Sequence, residues 1–314
     1  MKRSLRAMLA VLVLVSLVAA SCGDDKTTST DSGPTTTAAA KTGPKIVIGI
    51  QDFGESKVLA QIYGQVLTAH GYSVEYKELG GYRDLVFAGF TSGDINFTPE
   101  YAASALEFLN ENKGEATSDA TATVDKLRTY LADKQLVAYD AAPAVDTNSL
   151  VVTAATAKDK KLTKVSDLTA DLKLGGPQDC LTNPFCIQGI KKVYGVDLTA
   201  GFQALDGGGK LTKAALTAGS IDVAIIFSTD SSIAANKWVA LEDDKHLFAA
   251  DNIIPVTTDA VTKAYGEELE SLVNSVSAKV TTAALLDLND KFDNKKEDAD
   301  KVAADFISSA GLGS

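Results

Sequence analysis

Histidine is nearly absent from this chain and cysteine is scarce. Of 314 residues, two are histidine (His70, His246) and three are cysteine (Cys22, Cys180, Cys186). A metal site needs more nitrogen and sulfur ligands than these can supply, so no metal or other cofactor is expected. His70 ends a helical stretch, where a cationic ring suits the dipole, and His246 follows an acidic turn; both read as surface residues and not as bases. No HExxH, no GxSxG and no Cys–His dyad occurs, which leaves no recognisable catalytic constellation. The run Gly207-Gly208-Gly209-Lys210 fails as a phosphate loop. Ala204 stands where a glycine is required, and Leu211 where a hydroxyl should bind magnesium. Carboxylate pairs such as Asp52 and Glu55 carry little weight among 41 acidic residues. Basic runs are missing too. With 30 Lys and Arg the net charge is −11, which argues against nucleic acid and anionic headgroups as partners. Beyond the N-terminus, no stretch approaches the roughly 20 apolar residues of a membrane helix.

What is present begins with a leader. Lys2, Arg3 and Arg6 precede an apolar run from Met8 to Ala20, broken only by Ser16. At 13 residues it has the length of a signal-peptide core and is short for a bilayer span. Ala19-Ala20-Ser21-Cys22 resembles the bacterial lipobox, with Cys22 lipidated as the mature N-terminus. The alternative is an ordinary cleavage site that happens to precede a cysteine. Residues 1–21 are therefore expected to be removed, which takes the net charge from −11 to −14. Residues 23–44 carry no large apolar side chain and cannot repay the entropy of ordering, so 22–44 reads as a tether on a membrane anchor. The remainder is long enough for two lobes of ordinary domain size.

Within it one phrase occurs twice. Ala88-Gly89-Phe90-Thr91-Ser92-Gly93-Asp94-Ile95-Asn96-Phe97 leads into Thr98-Pro99-Glu100-Tyr101-Ala102-Ala103-Ser104. Ala214-Ala215-Leu216-Thr217-Ala218-Gly219-Ser220-Ile221-Asp222-Val223 leads into Phe227-Ser228-Thr229-Asp230. Each predicts a helix stopped by a left-handed glycine, a short apolar strand, and a polar-aromatic tip opening the next helix. Ligands of open α/β sheets sit beyond the carboxyl ends of strands, so two such tips point to two α/β lobes facing one cleft. Alternating strand and helix patterns support this along the chain. Val58, Leu59, Ile62, Tyr63, Val66 and Leu67 form the stripe of a first long helix, and residues 267–288 read as one long helix near the end. Residues 289–300 are charged and read as solvated. The chain is expected to cross between lobes near 147 and 253. That puts 45–147 and 253–314 in one lobe, 148–252 in the other, and two hinge strands between them. Cys180 and Cys186 flank Leu-Thr-Asn-Pro-Phe, and in an exported protein such a pair is expected to close a local disulfide.

Gln51-Asp52-Phe53-Gly54-Glu55-Ser56, the Ala-His-Gly-Tyr at 69–72, Pro99-Glu100-Tyr101, Phe227-Ser228-Thr229-Asp230 and Leu241-Glu242-Asp243-Asp244-Lys245 occur in that order. As an ordered set over about 45–312, they resemble the substrate-binding proteins of ABC importers for glycine betaine, choline and related osmoprotectants, the ProX/OpuC-like group. The resemblance implies a type II periplasmic-binding-protein fold that closes on a small solute and delivers it to a membrane permease with a cytoplasmic ATPase. It also implies an aromatic cage for the ammonium group and basic residues for a carboxylate. Tyr101 keeps a cage tyrosine, Ser104 the small polar residue after it, and Phe227 replaces a second tyrosine with another ring. Asn148 and Asp251 stand where the remaining cage tyrosines belong, Asn183 where the arginine belongs, and Gln51 where a lysine belongs. The candidate ligand-binding set is Gln51, Asp52, Phe53, Tyr101, Ser104, Asn148, Asn183, Phe227, Ser228, Thr229 and Asp251. A carboxylate buried without cationic donors is poorly compensated, so a choline-like cation balanced by Asp251 is one expectation. A polyol, sugar-like or polyphenolic solute, bonded by Asn148, Asn183 and Gln51 and stacked on Phe53, Tyr101 and Phe227, is the other. A monomer is expected. An enzyme on the same fold, or a sensor without a transporter, is the reading from another class.

Overall fold

The computed structural model describes residues 39–313. The expected signal peptide, Cys22 and the tether as far as residue 38 lie outside the described residues. The last residues of the expected tether are instead bonded to the domain: the Lys41 amide donates to the Gly71 carbonyl, and the Tyr265 hydroxyl to the Pro44 carbonyl. Among the described residues no helix is long and apolar enough to cross a membrane.

Two five-stranded sheets organise the chain. The first run comprises β1 (Ile46–Ile50), α1 (Gly54–Ala69), β2 (Val74–Glu78), α2 (Arg83–Ser92), β3 (Phe97–Tyr101), α3 (Ala102–Leu109), α4 (Ala120–Ala132) and β4 (Leu136–Ala138). The second comprises β5 (Asn148–Val152), α5 (Ala154–Lys160), β6 (Leu174–Pro177), α6 (Ile187–Gly189), β7 (Gln203–Leu205), α7 (Lys210–Ala218), β8 (Val223–Phe227), α8 (Ser232–Ala235) and β9 (Val239–Ala240). The chain then returns as β10 (Ile253–Thr258), α9 (Asp259–Ser277), α10 (Thr282–Asn289) and α11 (Ala299–Ala310). One sheet has the order β2-β1-β3-β10-β4 and the other β7-β6-β8-β5-β9. β1, β2 and β3 are parallel, and β10 enters antiparallel between β3 and β4. Pro99 of β3 faces Pro255 of β10. Neither has an N–H, so no ladder bond runs between these two residues, and on its other side Pro255 only accepts, from Tyr139 N at 3.0 Å.

The helical stripe read from α1 is the core: Val58, Leu59, Ile62, Tyr63, Val66 and Leu67 are all buried against the first sheet. Both phrases fold alike at their start. α2 ends at Gly93 (φ 77°) and α7 at Gly219 (φ 70°), each left-handed with open space where a Cβ would go. The glycine-rich run before α7 opens that helix, and its first amides are already satisfied, since the Asp206 carboxylate accepts from Leu211 N and Thr212 N, both at 2.9 Å.

Two local expectations change. The stretch 267–288 is two helices, α9 and α10. The break falls before Thr281, whose hydroxyl accepts from Ala284 N as an N-cap, and α9 is itself kinked at Gly266 (φ 63°). Asn289, placed in a solvated stretch, is buried.

The segments joining the two sheets run antiparallel to one another. Val145 bridges Asn252, and Asp146 N donates to Asp251 O at 3.0 Å. Each is also tied by backbone to a strand tip. Ala102 N donates to Asn252 O at 2.9 Å beside β3, and Ser228 N to Thr147 O at 2.8 Å beside β8.

Candidate functional site

A cavity of about 620 Å³ lies between the carboxyl ends of the two sheets. Arg83, Ser104, Glu107 and Phe108 line it from the first half and Asp179, Asn183, Phe185 and Phe227 from the second, with Asn148, Phe248 and Asp251 at the connections. Five of the eleven candidates therefore share one wall system: Ser104, Asn148, Asn183, Phe227 and Asp251. Asn148 and Phe227 are cross-strand partners at the ends of β5 and β8.

Asp251 is buried, and its carboxylate caps a helix from a distant part of the chain. It accepts from Ser104 N at 3.0 Å, the third residue of α3, and from the Ser104 hydroxyl. Burial pushes its carboxyl up to about 6, against the pull of the Arg83 guanidinium and the Ser104 bonds. Asn183 faces the cavity with its amide engaged inside its own loop. Its Nδ2 donates to Asp179 at 3.2 Å, and its Oδ1 accepts from Phe185 N at 2.8 Å. The same loop is closed by the Cys180–Cys186 disulfide, with Cα atoms 5.1 Å apart, so Phe185 is presented from a braced turn.

The other six candidates do not line the cavity. Tyr101 is buried with its phenol donating to Glu55 at 2.7 Å, and burial with the neighbouring Glu55 charge pushes that phenol well above its ordinary range. Phe53 packs its ring against Tyr101, centroids 5.8 Å apart. Gln51 is buried and donates to Glu100 at 3.3 Å. Asp52 is exposed at the tip of β1, and the Ser228 hydroxyl accepts from Thr147 N. Thr229 is buried between Glu55 and Asp146.

Four wall residues that carry a ring or a positive charge escaped the sequence reading. Phe108, Phe185 and Phe248 join Phe227, so four phenylalanine rings face the cavity. Phe108 is stacked on Phe87 at 5.3 Å, and Phe248 is set by Asp243, which accepts from its amide at 2.7 Å. Arg83 is the fourth. Its Nε and Nη2 each lie 3.0 Å from Glu100 Oε2, and Glu100 is fully buried. A usable signal existed: beyond residue 6 the chain holds only two arginines, Arg83 and Arg128. Glu107, Glu111, Asp179 and Asp251 surround the cavity, and Arg83 is the one cation among its lining residues. Because Glu100 already balances that guanidinium, the field in the cavity is negative.

Comparison with known proteins places these features. A family described as the substrate binding domain of ABC-type glycine betaine transport systems, OpuAC, matches residues 44–309. The chain is similar to the glycine betaine-binding protein YehZ of Escherichia coli, at 25% identity over 277 residues, covering 85% of this chain and 90% of that one. A glycine-betaine-binding protein of Pseudomonas aeruginosa is 25% identical over 274 residues, covering 83% and 86%. Among solved structures, a glycine betaine/carnitine/choline ABC transporter protein superposes with a TM-score of 0.73 at 25% identity, over 87% of this chain and all of that one. Apo YehZ gives 0.67 at 25% identity, over 86% and 100%. The lactococcal OpuAC in its closed, glycine betaine-bound form gives 0.60 at 12% identity, a likeness of fold alone. The fold is the type II periplasmic-binding-protein fold.

Proposed function

The chain belongs to the OpuAC family, the substrate-binding domains of ABC-type glycine betaine transport systems, and on that premise we propose that it captures a quaternary ammonium cation between its two lobes. The family is one of solute receptors and not of enzymes. The observation that carries the ligand class is the cavity wall: four phenylalanine rings and four carboxylates against one arginine already paired. A trimethylammonium group cannot donate a strong hydrogen bond. It is held by ring faces, at up to about 2 kcal/mol each when desolvated, and by a surrounding negative potential. A carboxylated zwitterion is the weaker fit, because the charge of Arg83 is already balanced by buried Glu100, and its remaining N–H groups would meet the carboxylate among four acidic side chains. A choline-like cation therefore ranks above glycine betaine. The polyol reading loses support, since the amides of Asn183 and Gln51 already have partners.

Members of the family work outside the cytoplasm. In this reading Cys22 carries a lipid and residues 23–44 form the tether, ending where Lys41 and Pro44 meet the domain. The lobes, 45–147 with 253–314 and 148–252, close on the solute about the paired connections. The closed monomer then hands the solute to a permease driven by a cytoplasmic ATPase. Titration calorimetry of the mature domain with choline, glycine betaine, carnitine and a set of polyols and polyphenols tests the ligand class. The expected result is 1:1 binding with choline at least about tenfold tighter than glycine betaine, a difference of about 1.4 kcal/mol. Binding of a polyol or polyphenol with no response to any quaternary amine would sink the proposal.

A further inference from the structure

The tip of β8 is held by acidic groups that the ligand cavity does not use. The Thr229 hydroxyl lies 2.9 Å from Glu55 Oε2 and 2.7 Å from Asp146 Oδ1, and all three residues are buried. Glu55 stands in the first turn of α1, Asp146 in the first connection, and Thr229 just past β8. Glu55 also accepts from the Tyr101 phenol at 2.7 Å and from Asn289 Nδ2 at 2.6 Å, while Thr229 N donates to Asp146 at 3.2 Å.

The protons do not suffice if both acids are ionised. A threonine hydroxyl has one hydrogen and can donate to Glu55 or to Asp146, not to both. The second contact would then set lone pair against lone pair in a buried site. Among the described residues no cation is paired with Glu55 or Asp146. The charged group facing Glu55, besides Asp146, is Asp293, and the one facing Asp146 is Asp251. Lys213 and Lys296 act on Asp293, and Arg83 acts on Asp251. A proton on one carboxyl turns the repulsive contact into a hydrogen bond donated to the Thr229 oxygen.

We infer that Glu55, Thr229 and Asp146 form a buried proton-binding site that fastens the strand tip of the second lobe to the first helix of the first. It stands apart from the identity of the solute. Burial comes first in raising both carboxyls, Asp146 well above its ordinary range; the Glu55 charge adds to the rise of Asp146 and the Asp293 charge to that of Glu55. For a raised carboxyl the stability contribution is complete below the ordinary range, about pH 4. It is lost as pH rises through the raised value, when two anions come to share one donor.

Infrared spectroscopy of the mature protein at neutral pH tests this, in an Asp251→Asn background that removes the other strongly raised carboxyl of the connections. A protonated-carboxyl band, shifted in heavy water, is expected. It should vanish in Glu55→Gln and in Asp146→Asn, whose amides supply a donor that does not titrate. Thermal melting should decline as pH rises above the ordinary carboxyl range in the parent and run flatter in either variant. Should one variant fail to fold, the other gives the same reading. Absence of the band, its survival in the amide variants, or parallel melting profiles would overturn the site.

Discussion

The tip after β3 and the tip after β8 follow the same helix stop and the same strand turn, yet they use their aromatic residue in opposite ways. Tyr101 is 4% exposed and its phenol serves Glu55, whereas Phe227 is 44% exposed on the cavity. The difference comes from what lies over each tip. Beside Tyr101, β10 continues with Ile253 as its direct partner, and the Phe53 ring leans on it from the β1 tip. Beside Phe227 the partner is Asn148 at the start of β5, and the ring is left facing the other lobe. Local pattern sets the backbone path of a strand tip. Neighbouring elements decide whether its side chain is wall or core.

The largest expected effect separates the tips by charge. Asp251 caps the helix after the first tip, and its carboxyl is raised to about 6. Its stability contribution should be complete below about pH 4 and lost as pH rises through about 6, by up to about 3 kcal/mol. Affinity for a cation should move the other way, rising as the carboxylate forms. Melting and calorimetry across this range, with Asp251→Asn flattening both, check the pair of signs. Next, Tyr101→Phe takes a donor from buried Glu55 and should cost about 1–3 kcal/mol in denaturant unfolding, with choline affinity within about twofold of the parent. An affinity loss without a stability loss would make Tyr101 wall after all. Phe227→Ala should do the reverse, weakening choline about tenfold, or about 1.4 kcal/mol, with little change in melting. Unchanged binding would erase the contrast. Of comparable size, Gly93→Ala and Gly219→Ala should each destabilise by about 1–2 kcal/mol and by similar amounts, because both sit in open space at positive φ. Unequal costs would break the equivalence from which the comparison starts.

Periodicity and glycine stops made much of the fold legible, since these depend on residues close in sequence. The stripe of α1 and the ends of α2 and α7 are of this kind. The break before Thr281 was not, because apolar spacing continues across it while the threonine cap changes the hydrogen bonding. For the site, the family motifs located Ser104, Asn148, Asn183, Phe227 and Asp251 on the cavity. They could not show that Tyr101 and Thr229 turn inward to Glu55, a meeting of segments far apart in sequence. The three further phenylalanines were hidden for the same reason, and for Arg83 only the rarity of arginine gave a signal. Each reaches the cavity from an element whose orientation is set by packing.

The ties between strand tips and connections are made by main-chain amides: Ala102 to Asn252, Ser228 to Thr147, and Asp146 to Asp251 between the connections. Such bonds do not depend on which side chains line the cavity. Substitutions on either wall can therefore accumulate while the main-chain ties between tips and connections are inherited unchanged. If the lobes close as proposed, that separation of parts would let one scaffold diversify its cargo without having to reinvent its closure.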